Sequence, residues 1–392
     1  SGGSYCTAEA DYASVGGGFR NTAGGQRSSV SGGEFNTASA TAASVVGGGY
    51  NSVGGQYSTV GGGWKNVATG SYAVIAGGFR STATSKGVVV AGGSDHLATA
   101  DYATVAGGAS NDVLATRGVI SGGQYNTVSG SDSVVGGGTT NIVQSNEAVI
   151  SGGGFNVVVE NHGSIGGGWL NTVNASFGVI GGGRRNSVHG NSAFIGAGSD
   201  GAALADYAIV VGGAANSALA IYAVVTGGSN NKAGGTYAFI GGGDQNRARD
   251  YSAVAGGNGN DATGIQSIVG GGWINTASGD HAGIVGGFRN LVTERGAFVG
   301  GGGDHEITAE FAAIAGGELN VITNASHSTI GGGYANKLDG GGNAYGTIAG
   351  GRSNTVSGFA AVIAGGNSNI ASASSSAVGG GWRNTATDLV AA

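Results

Sequence analysis

Few residues in this 392-residue chain have chemical reach: 16 Lys and Arg, 22 Asp and Glu, six His and one Cys. Two acid–imidazole pairs stand out, Asp95-His96 and Asp304-His305. A metal site needs three or four ligands at matched spacing. The two pairs could hold a metal, but His can equally replace Asn in a stacked ladder without one, and no Asp repeats as calcium-binding repeat loops require, so no metal is expected. The sequence carries no nucleophile elbow, no HExxH and no P-loop. Its acidic residues do not recur as a clustered set. No catalytic residue and no cofactor is expected, and the chain reads as a non-enzyme. One Cys excludes an intrachain disulfide framework and a Cys-based zinc cage. A net charge of -6 gives no footprint for nucleic acid. No run approaches the ~18 apolar residues of a membrane helix, so no membrane insertion is expected of this segment.

The other reactive surface is aromatic and cationic, and it recurs. Phe19-Arg20, Trp64-Lys65, Phe79-Arg80, Arg184-Arg185, Phe288-Arg289 and Trp382-Arg383, with Trp169 and Trp273, occupy equivalent places in a repeat. Such side chains anchor interfaces. They could hold a glycan or protein ligand, but packing over a corner or against a neighbouring subunit is the favoured reading.

The repeat that positions them is fifteen residues long. Numbered from Val15, it returns at Val30, Val45, Val60, Ile75 and onward to Ile240. It slips by one to Val254 and reaches Val378 after small insertions, making 25 repeats. Position 1 is always Val or Ile and position 4 always Gly; position 3 is Gly in all but one, Ala197. Position 7 is Asn in 21 repeats, with Ser81, His96, Gly201 and His305 as exceptions. The paired glycines, among 89 in the chain, would cost roughly 2 kcal/mol per repeat in a helix. Apolar positions alternate with period two, as strands require. Two short strands and two turns per circuit predict an all-β fold, a parallel β-solenoid of about 25 fifteen-residue coils. At ~4.8 Å per coil the rod would be about 120 Å long. The repeats leave no second domain, so residues 1–392 are one repeat domain.

Each constant position then has an expected role. Position 1 fills a thin core opposite a small position 9. The glycines turn a corner with positive φ. Asn at position 7 also suits a corner, tolerating the left-handed region, and stacks as a ladder: Asn21, Asn36, Asn51, Asn66, Asn111, Asn126, Asn141, Asn156, Asn171 and Asn186. His96 and His305 replace Asn in this ladder. The insertions near Leu338–Gly342 fall in the looser second turn. The four Trp residues recur about every seven coils. That period of about 105 residues reads either as duplication of a seven-coil block or as a lateral contact made once per block.

Position 15 should point outward yet is apolar at Val74, Val89, Val119, Val134, Val149, Val179, Phe194, Ile209, Val224, Phe239, Ile268 and Phe298. An inward position in a wider core is the alternative. A strip of this size is too large for water alone, and burial against other copies of the chain is favoured. Thr82-x-Thr84, Thr276-x-Ser278 and Thr385-x-Thr387 hint at an ice-binding rank, which Leu97, Asp112, Lys232, Arg247 and Glu306 break.

The string Asn66-Val67-Ala68-Thr69-Gly70-Ser71-Tyr72-Ala73-Val74-Ile75-Ala76-Gly77-Gly78 resembles the head repeats of YadA-like trimeric autotransporter adhesins. Related repeats occur in haemagglutinin-like surface proteins and some phage fibres. The resemblance covers nearly the whole chain, although those heads usually repeat every fourteen residues. It implies a left-handed β-roll, three chains side by side, and adhesion to matrix proteins or glycans of a host at a cell surface or outside the cell. A phage tail-fibre rod is the runner-up. Ser1 falls at position 2 of a coil, Ala392 at position 15 and Cys6 in the Asn slot, which suggests head-to-tail stacking into filaments. A fragment cut at coil boundaries is the alternative.

Overall fold

The structure, a computed structural model, describes residues 2–387. It is all-β: stacked parallel coils of about 15 residues form a β-solenoid of about 25 turns. The chain divides into two compact units, Ser1–Gly198 and Ser199–Ala392. Within each unit every strand pairs with its equivalent one coil away. Thr59 and Val60 pair with Val74 and Ile75, for example, and Val224 and Val225 with Phe239 and Ile240.

Each coil contributes to three ladders rather than two. Positions 15 and 1 make the first, and positions 8 and 9 the second, as in Val67↔Thr82 and Ala68↔Ala83. Position 5 adds single parallel bridges, such as Gly49↔Trp64 and Trp64↔Phe79. Two-residue strands leave too few apolar side chains for a thick core, so the interior is one residue deep. Position 1 (Ile75, Ile120, Ile150) and position 9 (Ala68, Ala83, Val128) are fully buried. Position 14 closes the interior, and its size compensates for position 9. A Cβ on Gly118, Gly163 or Gly178 would lie 2.7, 2.5 or 2.8 Å from a methyl of Val113, Val158 or Val173. Opposite Ala83, position 14 is instead the buried Val88.

The corner requires glycine at position 4, whose φ lies between +84° and +112° in all 25 repeats counted from Val15. A Cβ on Gly33 would sit 2.0 Å from the Gly48 carbonyl oxygen. Positive φ recurs at positions 6 and 13, as at Arg20 (φ 53°) and Tyr72 (φ 62°), at Asn324 (φ 49°) in a lengthened coil, and at position 3 in Gly137, Gly167, Gly242, Gly332 and Gly380 (φ +146° to +159°). Asn at position 7 is not left-handed, contrary to expectation. Its side chain must enter the coil to reach two carbonyls, which moves the bend one residue earlier.

The insertions also differ from a plain loop. Lys337–Asn343 is a strand that pairs with Val321–Ser326, the register shifting between Thr323 and Ala325. Two neighbouring coils are lengthened, so each satisfies the other's backbone. At the start, Gly2–Ser4 pairs with Gly17–Phe19. The joint expected from Ser1 and Ala392 lies outside the described residues.

Candidate functional site

The Asn column is the most uniform polar feature. Asn36 donates from Nδ2 to the Gly32 carbonyl at 3.0 Å and to the Gly48 carbonyl of the next coil at 2.9 Å. Its Oδ1 accepts the Asn51 backbone N–H at 3.0 Å. The same set recurs along the predicted residues, from Asn21 and Asn66 through Asn126 to Asn171, all fully buried. Direct amide-to-amide bonds, expected throughout, are fewer, as between Asn126 and Asn111 at 3.1 Å. The main link is side chain to backbone. Cys6 stands in the slot, its Sγ 3.5 Å from the Gly18 carbonyl.

His96 and His305 imitate Asn. In each, Nδ1 accepts the next coil's Asn N–H at 3.2 Å. Nε2–H points toward the corner carbonyls but makes no well-formed hydrogen bond. Burial pushes both imidazoles below their ordinary pKa, against a weaker upward pull from those carbonyls. Asp112 faces His96, and Asp304 adjoins His305. Asp112 is itself raised by burial, with His96 opposing. Among the described residues no three His, Cys, Asp or Glu side chains gather as a metal cluster.

The aromatic–cationic ridge lies at the position-5 corner. Its members engage each other. The Arg20 guanidinium lies over Tyr5, Phe19 and Phe35. Arg80 pairs with Asp95 and covers Phe79; Arg289 pairs with Asp304 and covers Phe288; Arg383 covers Trp382. Trp64 and Trp169 fold over the glycines one coil back, so a Cβ on Gly49 or Gly154 would strike the indole at 2.4 Å. Lys65, Trp273, Arg184 and Arg185 line the same corner and are exposed. A second aromatic column at position 13, absent from the sequence reading, stacks Tyr207, Tyr222, Tyr237 and Tyr251 at 4.9 to 5.3 Å. Its signal was available as Tyr recurring before the Ala or Ser of position 14. The rings of Tyr222 and Tyr237 are stacked on both faces by their neighbours.

The first ladder presents a different surface. Val74, Val89, Val149, Phe194 and Phe239 are exposed, while Val119, Val134, Val179, Ile209 and Val224 are half-buried. All point away from the core, which is completed by positions 1, 9 and 14. Exposed valines join them at position 2: Val46, Val211 and Val285. No charged residue occurs at positions 15, 2 or 3 in the described coils of either unit. The second ladder differs, carrying Asp112, Lys232, Arg247, Asp261, Glu306 and Lys337 at position 8.

No protein-family model matches the chain, and no curated protein matches it.

Proposed function

We propose that this is a non-enzymatic structural or adhesive fibre protein that works outside the cell or at its surface and associates laterally with copies of itself. One observation carries the reading: each unit displays an uncharged, largely apolar first-ladder face along its coils. A soluble monomer rarely exposes contiguous apolar surface beyond a few hundred Å². The resemblance to YadA-like head repeats supports the same class and implies a trimer. The ridge of Phe19, Arg20, Trp64, Phe79 and Arg80 is the candidate contact for a matrix protein or glycan. Changing Val134, Val149 and Phe194 together to Asp should release monomers in light scattering. An unchanged assembly would remove the first-ladder face from the reading.

A further inference from the structure

The second ladder of the unit Ser199–Ala392 sets like charges side by side. Lys232 and Arg247, both at position 8, face each other one coil apart, and Arg247 pairs onward with Asp261. Arg249 stands two residues beyond Arg247, on the same outward face across the buried Ala248. Like charges directly opposite in a sheet are destabilising. Other charged residues at position 8 avoid this: Asp112 lies between Leu97 and Thr127, and Glu306 between Leu291 and Val321. Many cations elsewhere have partners. Arg117 pairs with Asp132 and Lys337 with Asp339, while Arg295 and Arg352 lie over Phe311 and Tyr334. Among the described residues, Lys232, Arg247 and Arg249 have neither an ion pair nor a ring. They wall one cleft instead. Gly234 leaves a gap between Leu219 and Arg249 in the position-10 column, and a cavity of about 200 Å³ opens there, lined by Lys232, Gly234, Arg247, Arg249 and Thr263. A second hollow, on the Leu219 side, shares Lys232, Gly234 and Arg249. Two carboxylates border the cleft. Asp250 accepts the Thr236 backbone N–H at 2.8 Å. Asp261 is half-buried, and burial pushes its carboxyl up while Arg247 and Arg249 pull it down. The cations outnumber the acids, and one acid is turned to the backbone.

We propose that this cleft binds a terminal sulfate or phosphate ester, with Lys232, Arg247 and Arg249 each donating to the oxyanion. The planar guanidinium fork suits such an anion, and Lys adds a point charge. Three donor side chains match the three non-bridging oxygens of a terminal ester; a phosphodiester offers only two. The bound anion also offsets the repulsion between Lys232 and Arg247, which nothing inside the chain relieves. The cavity is smaller than those that enclose a drug-sized molecule, so it takes the ester group and the carbon next to it. The hollow beside Leu219 gives the rest of the ligand an apolar wall. The site lies on the second ladder and uses neither the first-ladder face nor the position-5 ridge, so it does not depend on lateral association.

The test is calorimetric titration of the purified full chain with a sulfated disaccharide, its desulfated form, inorganic sulfate and a DNA oligonucleotide. The sulfated sugar should bind at one site per chain, weaken with added salt and lose its binding on desulfation. Arg247→Gln with Arg249→Gln should lower affinity roughly tenfold or more while circular dichroism stays unchanged. Gly234→Leu should do the same with no change in charge. Its Cβ has room, the nearest atom being the Ala248 carbonyl oxygen at 3.8 Å, and its φ is not positive. Lys65→Gln with Arg184→Gln, on the position-5 ridge, should leave affinity as it was. Inorganic sulfate binding as tightly as the disaccharide would support the oxyanion site and make the free ion its ligand. DNA binding as tightly as the sulfated sugar would overturn the proposal, since charge alone would then be read. Binding lost in the ridge variant but kept in the cleft variants would overturn it too, and would leave the ridge as the glycan contact. Binding of none of the probes, or binding untouched by Gly234→Leu, also overturns it.

Discussion

At the residue scale the Asn slot explains most of the polar interior. Each amide satisfies two carbonyls and one N–H that the tight corner would otherwise bury unpaired, at a cost of about 1–3 kcal/mol per group. Asn126→Leu should therefore cost about 1–3 kcal/mol in denaturant unfolding; an effect below about 0.5 kcal/mol would be that of a surface site. Ser81 is the natural defect. Its Oγ is buried without a partner, and the corner glycine before it, Gly78, opens to φ 112°, against 84° to 96° in the Asn and His coils. Ser81→Asn should raise stability by about 1 kcal/mol, read as a higher melting temperature. His96 and His305 make the same column acid-sensitive. Burial holds their folded pKa below the unfolded value, so the unfolded chain binds more protons as pH falls. Stability is full above an imidazole pKa of ~6.5 and is lost as pH drops below it. Melting temperature should fall from pH 7 toward pH 5, and His96→Asn with His305→Asn should flatten that slope.

At the element scale, period and composition made the ladders legible, and the structure adds what neither encodes directly. The inward faces of positions 1 and 9 follow from apolar alternation. The third ladder at position 5 does not, because its residues run from Gly to Trp and it depends on backbone geometry alone. The location of the left-handed residues was also hidden. Positions 6 and 13 accept Arg, Tyr, Asp, Phe and Ser, so composition gives no signal there. The two constant glycines looked alike in sequence and differ in cause. Gly138→Ala, at position 4, should destabilise by more than about 1 kcal/mol, since a Cβ would meet the Gly153 carbonyl at 2.0 Å and φ is +92°. Gly122→Ala, at position 3, should leave monomer stability within about 0.5 kcal/mol. Thermal melting of the two variants side by side checks the contrast.

At the scale of the whole molecule, repetition governs both what was readable and what was not. Fifteen-residue spacing is a local signal, and it fixed coil number and class without any long-range information. The paired insertions were harder to place. Their cause is mutual: Val321–Ser326 and Lys337–Asn343 complete one another, although each read alone looks like a lengthened turn. Candidate surfaces were legible as far as apolarity and charge go, but the exposure of position 15 depends on positions 1, 9 and 14 completing the core. Nearest-neighbour stacking also predicts how the chain tolerates surgery. In a solenoid each coil contacts the coils beside it, so stability is close to a sum of coil and interface contributions. Removing residues 121–135, one whole repeat, joins Ile120 to Gly136 and restores the position 1 to position 2 step. Asn111 then meets Asn141, and Val113 meets Val143, so every column remains continuous. Removing eight residues, 121–128, would instead set strand against turn and expose buried amides. The first deletion should keep the β-sheet circular dichroism signal and shift the melting temperature by only a few degrees, about 2–4 °C. The second should abolish cooperative melting of the first unit. Equal damage from both would mean that the coils do not stack as independent neighbours.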